Sequence, residues 1–293
     1  MPGDFITDFL NDQYNSFSQR NISQDELCTL RSFAFSGESP DYTDSLHREF
    51  YFLKYASAYI TEYFLAYERI FSSDHLSAGD SVCTLSLGCG AMLDLVGFEY
   101  ARQQSENFCG SRPIYYGVDI IDWDCSETKI IDDFYESYDG IENFDSNNSI
   151  KYDIICFPKS ISDIGEARIL DFAESLTSCD VSDRICIIVS KRGNSIDDAN
   201  NAENFVEILC KNIGFSFKKE IFNVDEDEYF ENILENSFLF NNQIGWNIRS
   251  LGQRCAFCDC EENLQSECEQ IIGKWPMRKA FNVHPEIYYL EKK

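Results

Sequence analysis

The residues best suited to chemistry are two glycines and an aspartate that lie at the ends of two apolar runs. Gly88 and Gly90 come directly after Val82 to Leu87, and Asp119 lies near the end of the second run, Ile114 to Ile121. Glycines permit a tight turn and let a ligand approach the backbone, because they carry no Cβ. A carboxylate at the tip of a strand can accept hydrogen bonds from both hydroxyls of a ribose. The pattern therefore predicts a nucleoside pocket.

A strand, a glycine turn, a helix and a second strand are needed to bring these residues together. Both apolar runs have the length and composition of buried strands. Between them, apolar residues recur at helical spacing from Ala91 to Gln103, at Met92, Leu95, Val96, Phe98 and Tyr100. Because parallel strands end at the same edge of a sheet, this βαβ unit places the glycines beside Asp119.

The glycine spacing excludes one nucleotide motif and disfavours another. The chain contains no G-x-x-x-x-G-K-[ST] sequence, so a P-loop is excluded. A nicotinamide fingerprint needs a third glycine where Leu93 stands, and an acid roughly 20 residues on, whereas Asp119 lies farther away. A nicotinamide-dependent oxidoreductase is therefore disfavoured, and it ranks below the two hypotheses that are given at the end of this section.

Four segments resemble, in order, the motifs of class I S-adenosylmethionine-dependent methyltransferases. LSLGCGAMLD and YYGVDIIDWD are similar to the first and second motifs, Tyr152–Pro158 to the fourth strand, and Arg184–Ser190 to the fifth. The resemblance extends from Ser81 to Phe222. It implies an α/β fold with a doubly wound, mostly parallel seven-stranded sheet, an antiparallel last strand beside the fifth, and S-adenosylmethionine as cofactor.

The resemblance also implies roles for individual residues. The glycine loop would surround the methionine end of the cofactor, Asp119 would hold the ribose, Asp94 would lie near the amino group, and Asp145 would contact the adenine. The implied cofactor contacts are Leu87, Gly88, Cys89, Gly90, Asp94, Asp119, Ile120, Asp145 and Phe157. Candidate substrate contacts are Pro158, Lys159 and Ser160 after the fourth strand, with Tyr59 and Tyr63 from a preceding helix. No catalytic residue is identified.

The loop after the fourth strand limits the acceptor. Enzymes of this family that methylate adenine or glutamine carry [D/N/S]-P-P-[F/Y] there, whereas this chain has C-F-P-K, ending at Lys159. The polar acceptor, the second proline and the trailing aromatic are missing, which argues against a planar amine target. Lys159 could pair with an anionic group or be an ordinary loop lysine, and the pair Lys191-Arg192 is a second candidate for anion contact.

Four parts are predicted along the chain: an N-terminal helical cap (1–75), the S-adenosylmethionine-binding core (76–222), a cysteine-rich insertion (223–280) and the final antiparallel strand (281–293). In the cap, a long helix is expected from Asp41 to Phe71. Its tyrosines recur every four residues from Tyr51 to Tyr67, as core packing or as the wall of a lid. In the core, we expect a helix over Ile130 to Tyr138 and a weak third strand from Gly140 to Phe144.

The insertion contains a set of cysteines with metal-ligand spacing. Cys255, Cys258, Cys260 and Cys268 form C-x-x-C-x-C followed by a fourth thiol, which could hold a structural zinc ion. Standard zinc sites pair two C-x-x-C knuckles and only one is present, so a cysteine-rich loop is the alternative. Cys83, Cys156 and Cys186 lie in predicted strands and are expected to be small core residues.

Charge and hydropathy bound the partners. The net charge of −27 over 293 residues makes long nucleic acid an unfavourable substrate and favours small molecules or a protein partner. No apolar run approaches the ~20 residues of a membrane helix. The first residues are acidic and lack a signal peptide pattern, so we expect a cytoplasmic protein without membrane contact.

The sequence thus favours a methyltransferase that transfers the sulfonium methyl group in line to an unidentified acceptor. A catalytically degenerate protein of the same fold, acting as a binding or assembly subunit, is the alternative, because the catalytic motif after the fourth strand is absent. The resemblance supplies cofactor chemistry and leaves the biological role open.

Overall fold

The computed structural model describes residues 10, 12–13, 15–17, 19–30, 40–123, 130–137, 151–177, 182–191, 195–222 and 285–293. The helices within these ranges are α1 (Gln24–Thr29), α2 (Ser45–Ser72), α3 (Leu93–Gln104), α4 (Ile161–Ile164), α5 (Glu166–Thr177) and α6 (Ile196–Ile213). The strands are β1 (Ser81–Leu87), β2 (Arg112–Val118), β3 (Asp133–Ser137), β4 (Ile154–Pro158), β5 (Arg184–Ser190), β6 (Phe215–Ile221) and β7 (Glu286–Lys292).

The strands form one seven-stranded sheet in the order β3-β2-β1-β4-β5-β7-β6. Strands β1 to β5 pair in parallel, and β7 runs antiparallel to both β5 and β6. The inner strands β1, β4 and β5 are nearly continuous apolar runs because helices cover both of their faces. The predicted doubly wound, mostly parallel seven-stranded sheet is confirmed.

Helices α5 and α6 cover one face of the sheet. Their apolar stripes include Phe172 and Phe205, whose rings are stacked with centroids 6.2 Å apart. Gly214 ends α6 in a left-handed conformation, with φ of +86°, and its N–H bonds to the Cys210 carbonyl. Glycine is the usual residue at such a C-cap, because it adopts the left-handed conformation without a Cβ clash.

The predicted long helix of the N-terminal region is confirmed as α2. Of its tyrosine stripe, Tyr63 and Tyr67 are buried, at 3% and 0% exposure, and Tyr67 meets Phe98 of α3 edge-on at 5.3 Å between ring centroids. The crossing with α3 is close because Gly97 has no Cβ, and one placed there would lie 2.8 Å from the Cβ of Tyr63. These two tyrosines therefore pack in the core.

The predicted helix from Ile130 to Tyr138 is wrong. Asp133–Ser137 is strand β3, which pairs in parallel with β2. The physical reason lies across the strands, where Tyr135 stacks on Tyr116 at 4.7 Å and Phe134 on Tyr115 at 5.9 Å between centroids. Such cross-strand aromatic pairs stabilise a sheet and outweigh local helix propensity. The strand predicted at 140–144 lies outside the described residues.

Contacts divide the chain into two compact units, and the division falls after Ala58. In the unit before it, Arg20 bonds to Glu49 at 2.9 Å and to the Ser45 hydroxyl at 3.0 Å. The sheet and the helices that cover it belong to the second unit, which starts at Tyr59. The four-part domain division stays a prediction. No helix within the described ranges is long and apolar enough to span a membrane.

Candidate functional site

A left-handed glycine turn follows β1 at the carboxyl edge of the sheet. Gly88 has a φ of +70° and Gly90 a φ of +52°. The turn is fastened to β2 because the N–H of Gly88 and that of Cys89 both donate to the Val118 carbonyl, at 2.7 and 3.2 Å. L-residues rarely adopt this backbone conformation, so the two glycines make the turn possible at low cost.

The close contact with Ser160 is a second reason for a glycine at position 88. A Cβ at this position would approach the Cβ of Ser160 to below 3.0 Å and the Ser160 hydroxyl to 2.9 Å. Ser160 is buried, and its hydroxyl donates to the Leu87 carbonyl. The loop after β4 therefore lies directly against the glycine turn, as the parallel arrangement of β1 and β4 requires.

Asp119 joins the tip of β2 to the glycine turn. Its carboxylate accepts hydrogen bonds from the N–H of Gly90 at 2.8 Å and from that of Ile121 at 3.0 Å. Burial raises the pKa of Asp119, while the backbone hydrogen bonds from Gly90 and Ile121 act in the opposite direction. The side chain is half-buried, and the neighbouring Ile120 is 69% exposed. The predicted partnership of the glycines with Asp119 is thus present in the structure.

Met92 is a feature of the turn that the sequence did not indicate. It precedes α3 with a φ of +54°, and its N–H donates to the Cys89 carbonyl at 2.9 Å. A left-handed residue other than glycine costs about 1–2 kcal/mol. The apolar spacing placed Met92 inside the helix, whereas the alternation of Gly88 and Gly90 continues to Met92 as a third left-handed position. Such outliers concentrate at functional sites.

Asp94 lies beneath the glycine turn and is wholly buried. The Tyr115 hydroxyl lies 3.0 Å from both of its carboxylate oxygens. Burial raises the pKa of Asp94 to about 6, and the nearby hydroxyls of Ser86 and Tyr115 limit the rise. Its observed partners are therefore groups of the protein, and its predicted role at the cofactor's amino group stays a prediction.

We expect Asp94→Asn to change how stability depends on pH. Because its pKa is raised on folding, Asp94 contributes fully to the free energy of unfolding below pH 3.8, where it is protonated in both states. This contribution is lost as the pH rises through about 6. Asparagine cannot ionise, so it escapes this loss and still accepts from Tyr115. The variant should be more stable than wild type by roughly 3 kcal/mol at pH 8, with the difference closing towards pH 4. Urea unfolding across that range measures this, and a variant less stable at pH 8 would contradict it.

Lys159 pairs with an anionic group, and that group belongs to the protein itself. Its ammonium lies 2.8 and 3.0 Å from the two carboxylate oxygens of Glu62 and 2.9 Å from the Ser190 hydroxyl. Glu62 is completely buried, and the Lys159 side chain is 9% exposed. Lys191 is likewise paired, at 2.7 Å, with the buried Glu286. Both lysines thus find their anions within the chain.

The remaining predicted residues are distributed as follows. Leu87 and Cys89 are buried at the turn, and Pro158 is half-buried at the end of β4. Phe157 is fully buried, and its ring meets Phe205 edge-on at 5.2 Å, so its side chain belongs to the core. Tyr59 is half-buried, with the Lys159 ammonium 4.6 Å from its ring centroid.

Three predicted sets lie outside the described residues, namely Asp145, Arg192 and the four cysteines Cys255, Cys258, Cys260 and Cys268. In the part of the chain that the structure describes, no group of histidine, cysteine or acidic side chains is arranged to hold a metal ion. Cys83, Cys156 and Cys186 are free and buried, and burial raises the pKa of each thiol. Their prediction as core residues is confirmed.

Strand order and direction decide the type of fold. The glycine turn follows the first strand, the order reverses beside it, and an antiparallel seventh strand lies between the fifth and sixth. This is the class I methyltransferase fold. Its defining sheet is complete within the described residues, and the glycine turn and Asp119 lie at the switch point, where ligands bind in such sheets.

No family model and no curated protein matches the chain. Among solved structures, the chain is similar to the plantazolicin methyltransferase BpumL in complex with a monoazolic desmethylPZN analogue and SAH, with 16% sequence identity. The match covers 97% of this chain and 100% of the BpumL chain, with a TM-score of 0.46. The match to the cyclopropane synthase MmaA2 from Mycobacterium tuberculosis has 12% sequence identity and a TM-score of 0.42. It covers 78% of this chain and 84% of the MmaA2 chain.

A third solved structure is Aeropyrum pernix fibrillarin with natively bound S-adenosyl-L-methionine. It is 12% identical, covers 57% of this chain and 72% of its own, and has a TM-score of 0.36. The assignment of the methyltransferase fold rests on the strand order and the antiparallel seventh strand, and these matches add no residue-level information.

Proposed function

We propose that the protein is an S-adenosylmethionine-dependent methyltransferase. The observation that carries this proposal is the left-handed Gly88–Gly90 turn, tied to the Asp119 carboxylate at 2.8 Å, in a class I methyltransferase fold. The fit to the cofactor is supported by two features of this chain. The left-handed turn carries no side chain at Gly88 and Gly90, and Asp119 is only half-buried at the edge of the sheet beside it.

Each residue of the candidate site would contact a different part of the cofactor. Asp119 would accept hydrogen bonds from the ribose hydroxyls, the glycine turn would lie along the methionine end, and the exposed Ile120 would offer an apolar surface to the base. Asp94 and Asp145 keep their proposed roles at the amino group and the adenine. When bound, S-adenosylmethionine supplies an electrophilic methyl group on sulfur. The protein contributes orientation of the acceptor and exclusion of water.

The acceptor is proposed from charge and from the loop after β4. A net charge of −27 favours a small molecule or a protein over long nucleic acid. The half-buried Pro158 and Tyr59 would face it, whereas Lys159 is paired with Glu62 and the Ser160 hydroxyl donates to Leu87, so neither of these two polar groups is proposed to bind it. A cytoplasmic location and a zinc ion on the four cysteines complete the proposal.

A degenerate methyltransferase that binds the cofactor without turnover is the second candidate. One observation favours it, because the polar groups of the loop after β4 are engaged within the protein. Lys159 binds Glu62, and the Ser160 hydroxyl donates to Leu87. The adenine- and glutamine-methylating enzymes have an acceptor-binding polar residue in this loop, and this chain has none in its place.

Thermal unfolding with S-adenosylhomocysteine, compared with NAD, tests the proposal. At 100 times its dissociation constant a ligand adds about 2.7 kcal/mol to the native state, which raises the melting temperature clearly. We expect stabilisation by S-adenosylhomocysteine and none by NAD. Stabilisation by NAD alone would establish the oxidoreductase instead. Stabilisation by S-adenosylhomocysteine without methyl transfer to small-molecule or peptide acceptors would favour the degenerate protein.

A further inference from the structure

Lys159 has a backbone conformation that needs an explanation. Its φ is +60°, which places a residue other than glycine in the left-handed region, directly after β4. Its N–H donates to the carbonyls of Phe157 and Ser190, at 3.0 and 3.1 Å. A strained residue of this kind persists only where the surrounding contacts fix it.

The side chain of Lys159 supplies those contacts. Its ammonium binds both oxygens of the buried Glu62 carboxylate, the Ser190 hydroxyl and, at 3.3 Å, the Lys191 carbonyl. The Ser190 hydroxyl also donates to Glu62, so the carboxylate is bound from two sides. A buried charge pair with its hydrogen bonds satisfied specifies one geometry, because any departure leaves a charge unpaired. Glu62 on α2 thereby fixes the ends of β4 and β5 relative to each other.

The next residue transmits this geometry to the glycine turn. Ser160 follows Lys159, lies against Gly88 where a Cβ would have no room, and donates to the carbonyl of Leu87. Rotation of the backbone at Lys159 would move Ser160 into or away from the turn. On its other side the turn is held by Asp119 through Gly90. Ser160 and Asp119 thus hold the turn together with the Val118 carbonyl, and of these three residues only Asp119 is part of the proposed ribose contact.

We propose that Glu62 and Lys159 are positioning residues for the glycine turn, so that this buried ion pair raises cofactor affinity without touching the cofactor. The inference rests on the proposed function, since the affinity in question is that for S-adenosylhomocysteine. It differs from both roles that the sequence left open for Lys159, the pairing with an anionic group of the substrate and that of an ordinary loop lysine. In this inference, the ion pair between α2 and the loop after β4 fixes the conformation of that loop at the edge of the sheet where the cofactor and acceptor would bind.

Calorimetric titration of S-adenosylhomocysteine into three variants tests the inference. Glu62→Gln with Lys159→Met removes both charges and leaves no unpaired buried ion, which keeps the fold. Its dissociation constant should rise about tenfold. Glu99→Gln with Arg102→Leu is the matched control, because it removes both charges of another buried pair, 2.7 Å apart, in the C-terminal half of α3. It should bind as wild type does.

A third variant separates positioning from general loss of stability. Glu62→Gln with Lys159→Gly also lacks the pair, but glycine adopts the left-handed conformation without strain. Its affinity should lie nearer to wild type than that of the methionine variant. The inference is overturned if the methionine variant binds as tightly as the control that lacks the Glu99–Arg102 pair, or if the glycine variant binds no better than the methionine variant. Failure of wild type to bind S-adenosylhomocysteine would overturn the proposed function instead.

Discussion

Asp119→Ala should raise the dissociation constant for S-adenosylhomocysteine by roughly a thousandfold, because two hydrogen bonds to a charged acceptor, each of about 1.5–3 kcal/mol, are lost together. The substitution also frees the N–H of Gly90, which the carboxylate holds at 2.8 Å, so the turn loses one of its supports. Calorimetric titration measures the change, and circular dichroism confirms that the variant is folded.

Two further variants locate the cause of that loss. Asp119→Asn keeps an oxygen that can accept from Gly90 but removes the charge, so its affinity should fall between those of Asp119→Ala and wild type. Asp122→Ala removes the same charge from an exposed position three residues further on and should change affinity little. If Asp119→Ala binds within tenfold of wild type, Asp119 is not the ribose acceptor that we propose.

The parts of the fold that follow from local pattern were predictable. The strand from Val82 to Leu87, the glycine turn and α3 are each set by residues adjacent in sequence, and parallel pairing then places Asp119 beside the glycines. Strand β3 was not predictable in this way. Phe134 and Tyr135 suit a helix or a strand equally well from their neighbours, and stacking on Tyr115 and Tyr116 decides between them.

The polar interior of the site depends on contacts between distant residues. Glu62 and Lys159 are separated by 97 positions, and no local spacing indicates that they meet. The sequence indicates this ion pair only through Glu62, which is the single acidic residue in the apolar stretch of α2 from Tyr59 to Tyr67. An acid in such a place must find a cation or a proton. That argument would have predicted a partner, although only the topology identifies it as Lys159.

Gly88→Ala should destabilise the protein by about 4 kcal/mol, since a left-handed alanine costs about 1–2 kcal/mol and overpacking a further 1–3 kcal/mol. The first cost follows from the φ of +70°, and the second from the contact with the Cβ of Ser160. Urea unfolding measures the total. Because the turn must move to admit the methyl group, we also expect S-adenosylhomocysteine to give no thermal stabilisation of this variant.

Two controls separate the two costs of Gly88→Ala. Gly214→Ala places alanine at a φ of +86° with no atom within 4 Å of the new Cβ, so it should show only the conformational cost. Adding Ser160→Gly to Gly88→Ala removes the opposing Cβ and should recover the overpacking part. Equal losses in Gly88→Ala and Gly214→Ala would mean that the contact with Ser160 does not require glycine. The coupling between the loop after β4 and the glycine turn, on which the positioning role of Lys159 depends, would then be absent.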